Sequence, residues 1–254
     1  YNLIQFVYNY LMRILLILIS IGFITAVKAD EIYNLIKIPN LDIYKIDTKN
    51  KIRYLNTSND FRIGLEKNIT CARTDPNNLS NKFLIIKKNL NSYSPSFLKK
   101  NNIRYLVMCE NLFISNINTG GIPDTKKRTL IIDINFNPKY FERMIHHEIF
   151  HMIQKSNSKY FDEEKWVSLN TKDFEYAKCS TCSDRLNLDL YKNTEGFLTE
   201  YSKSIPSEDM AEVFSFLMTN KAKVEDKSDD DIILKNKINF IKSSLSKIDS
   251  SFKF

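Results

Sequence analysis

The sequence contains little glycine and proline and no basic run. Its 254 residues include 5 Gly and 6 Pro, which excludes a collagen-like chain and a Gly-rich disordered chain. Hydrophobic residues make up 43% and charged residues 26%, as in ordinary globular proteins. The net charge of +7 is dispersed and lacks interleaved aromatic residues, so we expect no nucleic-acid partner.

The amino-terminal region has no acidic residue and only a short apolar segment. Residues 14–27 are fourteen positions without charge, preceded by Arg13. A membrane-spanning helix needs about 20 apolar residues. A basic start, a short apolar segment and small residues at its end are instead typical of a secretory signal peptide. We predict that residues 1–29 are a signal peptide cleaved after Ala29, or alternatively a retained anchor. Residues 30–254 would then be exported to the periplasm, the cell surface or the medium.

Four cysteines follow this region, at Cys71, Cys109, Cys179 and Cys182. An even number of cysteines in an exported chain favours disulfides. A local bridge between Cys179 and Cys182 would leave Cys71 to pair with Cys109. A four-cysteine zinc site and a thiol–disulfide redox centre are the alternatives. Export disfavours the first, and the polar surroundings of the CxxC segment disfavour the second.

The apolar patterns predict a single α+β domain over residues 30–254. Short strands within loops are predicted at residues 36–38 and 41–46, a buried strand at 102–109, a loosely alternating segment at 111–118 and a strong strand at 129–136. Helices are predicted at residues 81–90, at 137–156 with Asn137 as the cap, and at 206–221. An acidic break at 225–231 would precede a last helix. Its apolar residues repeat at a helical spacing that predicts core packing: Leu234, Ile238, Ile241, Leu245 and Ile248.

All three histidines lie in one six-residue segment, HHEIFH at residues 146–151. Residues four apart lie on the same face of a helix, so His147 and His151 can bind one metal ion. Glu148 flanks that face, where it can act on a water molecule instead of binding the metal. His146 points away and is predicted to be a packing or surface residue. The alternative is that His147 and His151 are hydrogen-bonded core histidines, which is less consistent with the scarcity of histidine.

A catalytic zinc site needs three protein ligands and one open position. The extended HExxHxxGxxH pattern is excluded, because residues 155–158 provide neither the glycine nor the histidine. Glu208 and Glu212 lie one helical turn apart in a later acidic segment. One of these carboxylates could bind the metal while the other orients a histidine ligand. Both could equally well complement the positive end of the helix dipole.

Two segments, HHEIFH and YSKSIPSEDMAEVF, resemble a family of bacterial zinc-binding metallopeptidases of gluzincin type, whose catalytic segment is similar to that of anthrax lethal factor. The resemblance implies an α+β, zincin-like fold, with a small mixed sheet, an HExxH helix and a following glutamate helix. It implies one zinc ion with three ligands: His147, His151 and Glu208. It also implies that Tyr201 is catalytic and that Glu212 lies behind the ligands.

Together these features predict an exported zinc endopeptidase that uses a zinc-activated water, with Glu148 as the general base. Tyr201 would donate a hydrogen bond to the developing oxyanion. The expected partner is a peptide or protein substrate, extended along an edge strand within residues 111–118. One alternative is an inactive or structural zinc-binding module with a binding role. The other is a zinc hydrolase of non-peptide amides.

Overall fold

The computed structural model describes residue 38, residues 41–182 and residues 184–254. The predictions for residues 1–29, and for most of a strand at 36–38, fall outside these ranges. No helix in the described part of the chain has the length and apolar character needed to cross a membrane.

The described residues form a mixed sheet with helices packed against it. The strands are β1 (Leu41–Ile46), β2 (Arg53–Thr57), β3 (Phe61–Ile63), β4 (Ile69–Ala72), β5 (Tyr105–Ile114), β6 (Ile117–Asn118), β7 (Gly121–Asp124) and β8 (Thr129–Asp133). The helices are α1 (Pro76–Leu90), α2 (Pro95–Lys100), α3 (Phe141–Ser156), α4 (Glu163–Val167), α5 (Pro206–Asp229) and α6 (Ile232–Ile248). Short 3-10 turns occur at Leu65–Lys67, Ser158–Tyr160 and Tyr201–Lys203.

Strand β5 occupies the centre of the sheet because both of its halves pair on two sides. Its first half runs parallel to β2 and β8. Its second half pairs antiparallel with β4 and β6. The sheet continues from β2 to β1 and from β8 to β7, both antiparallel. The apolar residues of the first half are buried, as expected of a central strand covered on both faces. The strand predicted at 102–109 and the alternating segment at 111–118 are therefore mainly one long strand.

The two disulfides join Cys71 to Cys109 and Cys179 to Cys182, which confirms the predicted pairing. The first bridge links the neighbouring strands β4 and β5, and both of its cysteines are buried. The second bridge closes a small ring in the irregular segment between α4 and α5. The central strands of the sheet are thus covalently linked, whereas the second bridge constrains only its own segment.

Replacing Cys71 and Cys109 together by Ala is expected to lower the free energy of unfolding by about 4 kcal/mol, as loop-closure entropy predicts. The bridge spans a sequence separation of 38 residues, so it restricts the unfolded chain strongly. The matched control replaces Cys179 and Cys182, which are 3 residues apart, and should cost about half as much. Urea unfolding of both variants measures the difference, and an equal or reversed loss would contradict this expectation.

Helix α3 begins at Phe141, so the prediction that it starts at Asn137 is wrong. Asn137 and Pro138 form a tight turn instead. The Asn137 side chain accepts a hydrogen bond from the backbone N–H of Lys139, and its carbonyl accepts one from Tyr140. The Asn137 side chain therefore caps the turn, and the helix starts after Tyr140 without a side-chain cap.

The other helices differ from their predicted bounds mainly at their ends. Helix α1 begins at Pro76, earlier than predicted, because the Asp75 side chain caps its first turn. Helix α5 continues to Asp229 through one non-helical residue, Asn220, so the predicted acidic break is largely helical. Helix α6 matches its prediction, and its five-residue apolar stripe is buried in the core.

Helix α3 lies between the sheet and α5, and its apolar residues Ile145, Ile149 and Met152 are buried. Strand β7 approaches this helix closely because two glycines, Gly120 and Gly121, lie at its start. A Cβ atom at Gly120 would lie 2.3 Å from Cγ of Met144. The sheet edge and α5 therefore both reach the face of α3 that carries the HExxH residues.

Candidate metal centre

The structure brings the three predicted zinc ligands together. Nε2 of His147 lies 2.8 Å from Oε2 of Glu208, and Nε2 of His151 lies 3.2 Å from both atoms. A tetrahedral zinc ion with ligands at about 2.0–2.1 Å separates its ligand atoms by about 3.3 Å. The three atoms therefore fit one face of a zinc tetrahedron. Among the described residues, this is the cluster of three metal-ligating side chains that the geometry supports.

The helices explain how these side chains meet. His147 and His151 lie one turn apart on α3, so both rings project from the same face. Glu208 lies in the first turn of α5, just after Pro206, and α5 packs along α3. All three side chains are nearly buried, with Glu208 the most exposed at 12%.

Glu212 contacts one of these histidines from the far side of its ring. Its Oε1 atom lies 3.0 Å from Nδ1 of His147. Its Oε2 atom accepts hydrogen bonds from Arg143 and from Thr199. Burial alone would raise the pKa of Glu212, but the Arg143 guanidinium and the His147 ring outweigh it and lower the pKa. Glu212 is therefore an ionised acceptor behind His147, a position from which a carboxylate can orient a metal-binding histidine.

The carboxylates make this site strongly attractive to positive charge. Burial lowers the pKa of His147, but hydrogen bonds to Glu208 and Glu212 outweigh burial and raise the pKa to about 10. Burial likewise raises the pKa of Glu208, but His151 and His147 outweigh it and lower the pKa below its usual range. The negative charge of Glu208 and Glu212 that favours a proton on His147 also favours a divalent cation, which binds once His147 has lost that proton.

Glu148 is buried beside the cluster and faces strand β7. Burial raises its pKa, which the neighbouring His147 and His151 only partly offset. A Cβ atom at Gly121 would lie 2.7 Å from Cγ of Glu148, so only glycine leaves room for this carboxylate. The raised pKa makes Glu148 a stronger base than an exposed glutamate.

Replacing Gly121 by Ala is expected to lower kcat by about 10- to 100-fold, because the added methyl group displaces the Glu148 carboxylate. Zinc content should stay unchanged, since Gly121 does not contact the three clustered ligands. Glu142→Gln is the control, because Glu142 is 47% exposed on the same helix as Glu148 and pairs with Lys88 away from the site. Steady-state kinetics with metal analysis measures both, and a Gly121→Ala enzyme with wild-type kcat would refute the role of this glycine.

Tyr201 lies in the 3-10 turn before α5, next to the cluster. Its ring centroid is 5.9 Å from that of His147, and its hydroxyl hydrogen-bonds to Glu208. Burial first, and then the negative charges of Glu208 and Glu148, raise its pKa well above the usual value. Tyr201 therefore stays protonated and can donate a hydrogen bond beside the site.

His146, the third histidine, is buried and points away from the cluster. Its Nδ1 atom lies 2.6 Å from the Tyr93 hydroxyl and its Nε2 atom 2.9 Å from Oδ1 of Asn89. Burial lowers its pKa to about 4. The packing role predicted for this residue is therefore the correct one, and a surface position is excluded.

Sequence reasoning missed several residues that support the site. Arg143 lies four residues before His147, and a basic residue at that spacing on a buried helix face was a signal that could have been used. Thr199 and Gly121 carried no comparable signal. Asp209 lies in the acidic first turn of α5, but it is buried and paired with Lys237 on the next helix, a contact that its sequence neighbours do not indicate.

The comparisons with known proteins agree with this arrangement. The model of the family described as "Putative zinc-binding metallo-peptidase" matches residues 122–248, half of the chain. The chain belongs to this family. The match contains the HExxH helix, the glutamate helix and Tyr201. It confirms the resemblance inferred from the motifs.

The chain is similar to solved structures. One of them is described as a putative zinc-binding metallo-peptidase from Bacteroides caccae. The two share 20% sequence identity, with a TM-score of 0.48, over 70% of this chain and 72% of that chain. No match was found among curated proteins.

Family membership and the observed architecture together define the fold class. A mixed sheet, an HExxH helix and a following glutamate helix form an α+β, zincin-like metallopeptidase fold, as predicted. The family is one of zinc-binding metallopeptidases, and the donor set of two imidazoles and one carboxylate suits zinc.

Proposed function

We propose that the chain is an exported zinc-dependent endopeptidase. The observation that carries this proposal is the convergence of His147, His151 and Glu208 beside the buried carboxylate of Glu148. A purely structural zinc site has four protein ligands and needs no adjacent base. Here three side chains converge and a base lies next to them, which is the arrangement of a catalytic site.

The three ligands would hold one zinc ion, with Glu212 orienting His147 from behind. Bound zinc supplies Lewis-acid chemistry, which polarises a carbonyl group and makes water a stronger nucleophile near neutral pH. Glu148 takes a proton from the attacking water and passes it to the leaving amine nitrogen as the peptide C–N bond breaks. Tyr201 donates a hydrogen bond to the oxyanion that forms on the carbonyl oxygen.

The substrate would be a peptide or protein in an extended conformation. Of the edge strand predicted within residues 111–118, only β6 (Ile117–Asn118) keeps a free side among the described residues. Phe113 and Ile114 pair on both sides, with β4 and with β6, so that part of β5 offers no free edge. Strand β7 pairs with β8 alone and lies against Glu148. We therefore place the substrate backbone along β7.

Export is supported by two features of the chain. The amino-terminal pattern is typical of a signal peptide. The structure also contains two disulfides, which persist mainly in oxidising compartments. A thiol-reducing cytosol would not maintain the exposed Cys179–Cys182 bridge.

Cleavage assays test the proposed function. The purified chain is incubated with casein, with a quenched peptide library and with chromogenic non-peptide amides. Each substrate is tested with the chain as isolated, after removal of zinc by a chelator, and after reloading with one equivalent of zinc. We expect cleavage by the chain as isolated, no cleavage after zinc is removed, and restored cleavage after one equivalent of zinc is added back. Bound zinc without cleavage of any peptide would favour a binding module. Cleavage confined to non-peptide amides would identify the chain as a zinc hydrolase of such amides instead of an endopeptidase.

A further inference from the structure

Arg143 is an arginine buried beside the metal centre, and its side chain hydrogen-bonds to Glu212 and to Leu188. It lies on α3 one turn before His147, and its side chain is only 9% exposed. Nη1 donates to Oε2 of Glu212, and Nη2 donates to the backbone carbonyl of Leu188 at 2.7 Å. The guanidinium also lies 4.2 Å from the ring centroid of Phe216. These contacts fix the guanidinium plane in one orientation.

The carboxylate that Arg143 holds is itself fully engaged. Oε2 of Glu212 accepts from Arg143 and also from Oγ1 of Thr199 at 2.9 Å, while Oε1 lies 3.0 Å from Nδ1 of His147. Because Nδ1 and Nε2 belong to one rigid ring, fixing the direction of Nδ1 also fixes the direction of Nε2. Nε2 of His147 is the atom that points at Glu208 and His151.

The geometry points to Arg143 as a positioning residue of the metal centre, which acts on His147 through Glu212. This inference rests on the proposed function, since it assigns Arg143 a role in zinc binding by that site. Arg143 also provides the positive charge that a buried Glu212 requires. Thr199, a neutral donor, cannot replace that charge.

The hydrogen bond from Nη2 of Arg143 connects the metal centre to the irregular segment that contains Asn187 and Leu188. Leu188, which accepts from Nη2, follows Asn187, whose carbonyl accepts a hydrogen bond from the backbone N–H of Tyr201 at 3.1 Å. One guanidinium thus holds the carboxylate behind a zinc ligand and the segment that anchors Tyr201. A lysine in its place keeps the charge but lacks the planar fork that serves two acceptors in fixed directions.

Zinc affinity, measured by competition with a chromophoric chelator, tests this role. We expect Arg143→Met and Glu212→Gln each to raise the Kd for zinc by about 10- to 100-fold. The Kd of the double variant for zinc should exceed the higher of the two single-variant Kd values by no more than about threefold. Both changes remove the same interaction, so their effects should not multiply. Arg143→Lys should fall between the wild type and Arg143→Met.

The matched control is Glu142→Gln, which removes an exposed ion pair with Lys88 on the same helix and should leave the Kd unchanged. Two results would overturn the inference. The first is a double variant whose increase in Kd for zinc equals the product of the two single increases. The second is an Arg143→Met variant whose Kd lies within threefold of the wild-type Kd. If Arg143→Met does not fold, Arg143→Lys decides in its place: a raised Kd supports the role and a wild-type Kd overturns it. A wild-type chain without zinc affinity would overturn the proposed function itself, which separates the two failures.

Discussion

Replacing Glu148 by Gln is expected to lower kcat for peptide hydrolysis by about 10²- to 10⁴-fold, with zinc content unchanged. Glutamine has nearly the same shape as glutamate but cannot accept the proton of the attacking water. Glu148 lies beside the cluster without belonging to it, so its replacement should leave the three ligands in place. The measurement is steady-state cleavage of a quenched peptide, together with metal analysis of the same sample.

The matched control for this experiment is Glu142→Gln, on the same helix. Glu142 is 47% exposed and pairs with Lys88, away from the site. This variant should cleave at the wild-type rate. If Glu148→Gln retained more than a tenth of the wild-type kcat, another group would have to be the base, and the proposed mechanism would be wrong.

Replacing Lys237 by Met is expected to lower the free energy of unfolding by about 3–5 kcal/mol, because it leaves a buried carboxylate without its cation. Nζ of Lys237 donates to Oδ2 of Asp209 at 2.7 Å, and both side chains are 0% exposed. Asp209 keeps hydrogen bonds from Trp166 and Tyr176, but these neutral donors cannot balance its charge.

The control for this prediction lies on the same helix, at Lys242. Its ion pair with Glu225 is more than a third exposed on both sides, so Lys242→Met should cost at most about 1 kcal/mol. Urea unfolding of the two variants compares a buried with an exposed pair after the same chemical change. Equal losses would mean that the buried pair contributes little to the attachment of α6 to α5.

The parts of the site that could be predicted from sequence depend on short spacings. The i and i+4 spacing of His147 and His151 determines that both lie on one helix face, whatever surrounds the helix. The same holds for Glu208 and Glu212, which the structure places on either side of His147. The apolar stripe of α6 and the buried strand β8 were predictable for the same reason.

The parts that could not be predicted depend on contacts between distant segments. The start of α3 required knowing that the Asn137 side chain would bond to its own turn and not to the helix. The free edge at β7 follows from strand order, which local patterns do not contain. The spacing of Arg143 places it on the same helix face as His147, but its contact with Glu212 follows only from the packing of α5 against α3.

The proposed catalysis depends on one zinc ion bound by His147, His151 and Glu208. An anomalous difference map, recorded at the zinc absorption edge from crystals of the zinc-loaded chain, tests it most directly. The three proposed ligands predict one peak at about 2.0–2.2 Å from Nε2 of each histidine and from a carboxylate oxygen of Glu208. A peak held by other side chains, or no peak between these three, would contradict it.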